Sequence, residues 1–225
     1  MHKPIAIFYH GLFVAQDEIL PASLYIIPEQ MKCIKQSGLY DECKEFQVGI
    51  NGGEESKSIA DYVLPLKGHR QFHGQQCRNE LRTLLMLEQW CASHPGWNVL
   101  YLHSKGATHP LGHDLRTRWR NCMMRNLVSN WRTCVAALEN GYDSVGCHWL
   151  TPPFTPPGQY IWGGNFWWAT SDYLRTLPGL MLRDRVKISG LDSIESRFEA
   201  EVWIGNGPRA PRVLDLHPGG LWTCP

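Results

Sequence analysis

No apolar run of about eighteen residues occurs anywhere in the 225-residue sequence, which excludes an ordinary membrane-spanning helix. The eight cysteines include no C-x-x-C pair, which argues against a zinc ribbon or a dithiol redox motif. Charge of neither sign dominates. Lys and Arg total 22 against 21 Asp and Glu, and a net charge of +1 provides no broad field to hold a polyanion or a membrane surface. Internal repeats, long low-complexity tracts and a recognisable linker are all missing, so one continuous domain, 1–225, is expected. The opening "MHKPIAIFYHGLF" has only a brief apolar run and no small-residue cleavage site, so it reads as a strand and not as a signal peptide. The thiols are therefore expected to be reduced and buried, in a cytoplasmic protein. His69, His73, His109 and His113 show no clean ligand spacing, and no metal site is expected from them.

What remains is ordinary for a globular chain: 43% hydrophobic and 19% charged residues, at a length that can bury a sizeable core. "PIAIFYHGLF" reads as a first strand ending in the polar pair Tyr9 and His10. "PEQMKCIKQSG" has helical spacing through Met31 and Ile34 and stops at Gly38. "EFQVGI" is a second strand. "CRNELRTLLMLEQWCASH" is a helix, and "WNVLYLHSKG" a buried strand ending at His103. The clearest helix is "DLRTRWRNCMMRNLVSNWRTCVAALENG", with one apolar stripe through Met123, Leu127, Trp131, Val135 and Leu138 and a stop at Asn140-Gly141. "YDSVGCHWL" is a further short strand. Alternating strands and helices imply an α/β architecture whose mainly parallel sheet is flanked by helices. Ligands of such sheets bind at the carboxyl ends of the strands, which directs attention to Tyr9, His10, His103, Ser104, Lys105 and Gly106.

Two later stretches carry chemistry. In "IWGGNFWWATSDYL", Gly163 and Gly164 allow close backbone approach, Asn165 offers both a donor and an acceptor, and Phe166, Trp167 and Trp168 stand in a row. Strand side chains alternate in direction, so one of the two tryptophans is expected in the core and the other on a cleft. "GLDSIESRFEAEVWIGNG" reads as a helix with an Asp192/Glu195 capping box and a stop at Gly205. Ile194, Phe198 and Val202 share a face. Glu201 falls beside it, whereas Glu195 and Glu199 lie further round. A carboxylate next to an apolar face is costly unless it is paired or functional. Glu201 is thus either a general base or half of a buried ion pair with Arg185 or Arg197.

"YLHSKG", "WRNCMM", "GYDSVG", "GGNFWWATSDYLRTLP" and "AEVWIG", with "FYHGLF" and "SGLYDE" earlier, resemble in order a family of small glycosyltransferase-like proteins of the GT-A fold. The resemblance implies a GT-A-like domain with a donor half at about 1–110 and an acceptor and catalytic half at about 111–225. It implies a hexosyl- or pentosyltransferase moving a sugar from a nucleotide-sugar donor to a hydroxyl acceptor, a glycan or a modified nucleobase. A silent nucleotide-sugar- or carbohydrate-binding domain of the same fold is the other reading. The strand-end residues Tyr9, His10, His103, Ser104, Lys105 and Gly106 would bind the donor. The 163–168 segment would bind sugar and acceptor. Glu201 would be the base, with Glu199 as second choice, and His217 and Arg116 would contact the diphosphate. One departure stands out. Many GT-A enzymes hold manganese or magnesium with an Asp-x-Asp motif where His103-Ser104-Lys105 stands here. The fold admits such a cation, but this strand end, lacking carboxylates, does not lead one to expect it.

Overall fold

Nine consecutive residues of Ile5–Phe13 (β1) are all buried, the signature of a central strand covered on both faces. The computed structural model describes residues 2–13, 19–64, 69–74, 79–108, 114–190, 193 and 196–219. After β1 come α1 (Ile19–Gln36), α2 (Leu39–Glu42), β2 (Cys43–Gly52), α3 (Glu55–Val63), β3 (His69–Phe72), α4 (Leu81–Ser93) and β4 (Asn98–His103). The long helix follows as α5 (Asp114–Met124), a π-helical turn Arg125–Ser129, and α6 (Trp131–Glu139). The second half is built of shorter pieces: β5 (Ser144–Gly146), β6 (Trp149–Leu150), β7 (Ile161–Trp162), β8 (Trp167–Thr170), α7 (Ser171–Leu174), α8 (Asp184–Ser189), α9 (Arg197–Val202) and β9 (Val213–Asp215).

Seven strands form one sheet in the order β3-β2-β1-β4-β8-β5-β9, and β6 pairs with β7 beside it. The ladders β1–β2, β1–β4, β2–β3 and β5–β9 are parallel, whereas β8 runs antiparallel to both of its neighbours. This is a mixed α/β fold with a mainly parallel central sheet flanked by helices. Side-chain alternation along β1 divides the core in two. Ile5, Ile7 and Tyr9 pack with α1 and the α5–α6 helix, while Ala6 and Phe8 pack with α4, α7 and α9. Among the described residues no helix is long and apolar enough to cross a membrane, and the described cysteines are free thiols.

Several boundaries differ from the sequence expectation. β1 continues past Tyr9 and His10 to Phe13, although its pairing with β4 ends at His10. α1 begins at Ile19 and carries Pro28 inside it. α3 and β3 have no counterpart in the sequence reading. "YDSVGCHWL" makes two short strands, because His148 takes a left-handed backbone (φ 61) that interrupts extension. The helix around Glu201 is only Arg197–Val202 and tightens into a 3-10 turn, Trp203–Gly205. Its expected capping pair, Asp192 and Glu195, lies outside the described residues. Gly205 is required by close approach and not by a left-handed cap, since a Cβ there would collide with the Tyr160 carbonyl.

The π-helical turn has an identifiable partner. Widening the helix there leaves a carbonyl without its usual acceptor role, and the Trp168 indole N–H donates to the Leu127 carbonyl at 2.8 Å. Trp168 lies on β8, so this bond ties the long helix to the antiparallel strand. Trp168→Phe removes the donor and leaves a buried carbonyl unsatisfied. It is expected to cost about 1–3 kcal/mol in urea denaturation; an unchanged midpoint would show that the turn does not depend on this bond.

Candidate active site

The parallel register of β1 and β4 sets Tyr9 opposite Leu102 and His10 opposite His103, with both carboxyl ends on one side of the sheet. Alternation then decides which side chains reach the cleft at those ends. His10 and His103 share the face of Phe8 and Tyr101. Tyr9 turns to the other face, where its hydroxyl donates to Gln30 Oε1 at 2.7 Å. The cleft is lined by His10, Glu80, His103, Lys105, Arg116 and Arg197 among others.

Glu80, which no sequence pattern singled out, organises this surface. It precedes α4, where an acidic residue looks like a routine helix-start preference. In the fold its Oε2 accepts from the Tyr101 hydroxyl at 2.7 Å and from Asn165 Nδ2 at 2.8 Å, and its Oε1 lies 3.7 Å from His103 Nε2. Burial pushes the Glu80 carboxyl up, but His103, His10, the Tyr101 hydroxyl and Lys105 outweigh it and hold it below its ordinary value.

The histidines are neutral donors and acceptors. Asn51 Nδ2 donates to the Asn79 carbonyl, which fixes the amide orientation, and approaches His10 Nε2 at 3.4 Å. His10 Nε2 therefore carries the lone pair, and Nδ1–H donates to Thr83 Oγ1 at 2.8 Å. Burial, reinforced by His103 and His73 and opposed by Glu80, lowers His10 to about 3. His103 is lowered as well, chiefly by burial; its Nε2–H donates to the Gly164 carbonyl at 2.9 Å.

The cations and the second carboxylate complete the site. The Lys105 ammonium lies 4.1 Å from the centroid of the Trp119 ring. Burial lowers its pKa, with Arg197 and Arg116 in the same direction and Glu80 and Glu201 opposing. Glu201 is shifted the other way. Burial and the Glu80 charge raise it against Lys105 and Arg197. Two carboxylates in one electrostatic neighbourhood are thus driven in opposite directions.

Other predicted site residues have different surroundings. Ser104 Oγ accepts from the Leu12 N–H at 3.0 Å, a tie between strand ends. Gly106 lines the cleft with φ 95. Gly163 N–H donates to the His148 carbonyl at 2.8 Å. Gly164 (φ 88) packs so closely that a Cβ would strike Met123 and Trp119. Phe166 sets its ring edge-on to His103 at 5.0 Å. Neither tryptophan lines the cleft: Trp167 stacks on Tyr101 in one core cluster, and Trp168 is buried in the other. The aromatic row supports the site from within, because β8 is covered on both faces. Glu199 is held by Arg183 at 2.6 Å and Arg185 at 3.8 Å. His217 stands beside His148, ring centroids 5.0 Å apart.

The strand end does not fit a hard divalent cation. Such ions need several oxygen ligands. Glu80 already accepts two hydrogen bonds on one oxygen, and Lys105, Arg116 and Arg197 bring positive charge to the place a metal would occupy.

The family described as Domain of unknown function (DUF8361) matches residues 8–211. None of the curated proteins compared with the chain matches it in sequence. Among solved structures, a candidate nucleotide-diphospho-sugar transferase from Desulfovibrio desulfuricans G20 superposes with TM-score 0.48 at 11% identity, over 95% of this chain and 79% of that one. A 4-diphosphocytidyl-2C-methyl-D-erythritol synthase from Anaerococcus prevotii DSM 20548 gives 0.45 at 10%, over 97% and 90%. A CMP:2-keto-3-deoxy-manno-octonic acid synthetase complexed with CTP gives 0.46 at 8%, over 95% and 90%.

The depressed His10 pKa has a consequence for stability. Between about 3 and 6.5 the unfolded chain binds a proton on this residue that the folded chain does not, so stability present above pH 6.5 is lost as pH falls. His10→Asn is expected to flatten the stability–pH slope by about 1.4 kcal/mol per pH unit in urea titrations between pH 6 and 4.5. An unchanged slope would mean that His10 protonates freely in the fold.

Proposed function

For a chain that belongs to the family described as Domain of unknown function (DUF8361), we propose the activity of a glycosyltransferase that uses a nucleotide-sugar donor and a hydroxyl acceptor. The observation that carries this reading is the meeting, at the carboxyl ends of β1 and β4, of a cationic rim with a carboxylate of raised pKa. Lys105, Arg116 and Arg197 line the rim, and Glu201 interacts electrostatically with Lys105, Arg197 and Glu80. The motif resemblance of "YLHSKG" and "GGNFWWA" supports the same reading.

In this reading the diphosphate of the donor lies against Lys105, Arg116 and Arg197. The acceptor hydroxyl attacks the anomeric carbon as the bond from that carbon to the diphosphate oxygen breaks. The hydroxyl proton passes to a Glu201 carboxylate oxygen, and the pair of electrons of the broken bond leaves with the nucleoside diphosphate. Fixed cations in a site of low polarisability stabilise that developing charge without reorganising. A carboxylate whose pKa is raised is a stronger base once ionised, which suits proton abstraction near neutral pH. Glu80 does not act on substrate here. Its Oε2 accepts from the Tyr101 hydroxyl and the Asn165 amide, and it holds Asn165 and the strand end in place.

The test starts with nucleotide sugars screened for thermal stabilisation, since a ligand that binds only the native state raises its melting temperature. With the donor so found, Glu201→Gln is expected to keep the melting shift and lose turnover by about 10²–10⁴-fold. Lys105→Ala is expected to lose about 10²-fold or more. A Glu201→Gln protein that melts early yet turns over normally per folded molecule would move the carboxylate to a structural role. Failure of every nucleotide sugar to shift the melting temperature would remove the donor assignment.

A further inference from the structure

A second cluster lies outside the cleft lining and is not used in the transfer reaction proposed above. Cys122 comes from α5, His148 from the turn between β5 and β6, and His217 from the segment after β9. One donor atom from each lies within 4.8 Å of the others. We propose that Cys122, His148 and His217 bind a divalent transition metal of the zinc class through one thiolate and two imidazoles. This proposal is independent of the donor and acceptor assignments.

The chemistry of the donor set points to such an ion. Thiolate and imidazole are ligands zinc accepts, whereas magnesium, calcium and manganese favour oxygen. Around a tetrahedral zinc with bonds of about 2.0–2.3 Å, donor atoms stand about 3.3–3.6 Å apart. Side-chain adjustments of about an ångström therefore bring these three into range. Three protein ligands leave a fourth position for water, as in sites that keep an exchangeable ligand.

The surroundings are built in the way metal-ligating histidines require. His148 Nδ1 faces the Gly219 carbonyl at 2.8 Å. A carbonyl only accepts, so Nδ1 carries the proton and Nε2 presents the lone pair, the arrangement in which an outer partner fixes the tautomer. Asp215 clamps both histidine-bearing segments. Its Oδ1 accepts from the N–H groups of His148 at 3.0 Å and His217 at 2.9 Å, and its Oδ2 accepts from Trp149 at 2.8 Å. His148 holds its left-handed backbone within this clamp, and such a conformation in a non-glycine residue persists only where its surroundings over-determine it. Asn126 Nδ2 approaches Cys122 Sγ at 3.6 Å, a donor suited to a thiolate. The Trp119 ring lies between this cluster and the cleft, 6.3 Å from the His148 ring on one side and beneath the Lys105 ammonium on the other.

The experiment uses the full chain, stripped with a chelator and titrated with cobalt(II) and then zinc(II). One equivalent of cobalt is expected to produce a thiolate-to-cobalt charge-transfer band that zinc abolishes and that Cys122→Ser lacks. His217→Ala, on a half-buried segment near the end of the described chain, is expected to fold normally by circular dichroism. It should weaken zinc binding by more than the about 10–100-fold that loss of an outer-shell partner costs. Zinc should raise the melting temperature of the wild type and not of these variants. Cobalt uptake with no charge-transfer band, or zinc affinity equal in wild type and His217→Ala, would overturn the proposal and leave a thiol packed dry against two imidazoles.

Discussion

A buried carboxylate that must stay ionised constrains everything around it, and in this protein that carboxylate is Glu80. Withdrawing such a group from water costs several kcal/mol unless hydrogen bonds and opposite charge replace the lost hydration. Here the replacements come from two distant parts of the chain: the Tyr101 hydroxyl and the Lys105 ammonium at the end of β4, and the Asn165 amide in the turn before β8. Each contact fixes one wall of the cleft. The Gly164 carbonyl receives His103, Asn165 receives the Trp167 indole, and Trp167 stacks on Tyr101, so the polar network and the aromatic core hold one another in register.

Three carboxylates, Glu80, Glu199 and Glu201, show how environment sets chemistry. Glu80 is lowered by its donors and charges. Glu199 is paired with two arginines, Arg183 and Arg185. Glu201, two residues further on, is raised by burial and by the neighbouring Glu80 charge. Titratable groups driven apart by their surroundings are a recurring mark of acid–base sites, and this pair is the physical basis of the proposed transfer reaction.

The aromatic row 166–168 proves to be a support and not a lining. β8 lies between β4 and β5, so its residues enter the two apolar clusters in alternation, Trp167 in one and Trp168 in the other. Gly164 brings the backbone against Trp119 and Met123, and Trp119 in turn carries Lys105 on its face. A mutation in this row would thus be felt at the cleft through packing, with no contact to a ligand.

The sequence by itself determined the α/β class, the long helix from Asp114 to Glu139, and the polar ends of two apolar strands at His10 and His103. These are properties of short windows, where hydropathy period and the polar punctuation of a strand end are local. Gly205 and Asn165 stood out for composition but not for their actual roles, because close approach and a hydrogen bond to Glu80 depend on residues 45 and 85 positions away. Only the tertiary structure decided that Glu80 belongs to the cleft, that Tyr9 faces away from it, that Glu199 is paired while Glu201 is raised, and that Cys122, His148 and His217 meet. The reason is physical. Ligand geometry and pKa are set by burial and by distances between groups far apart in the chain, and neither quantity has a period that a linear reading can detect.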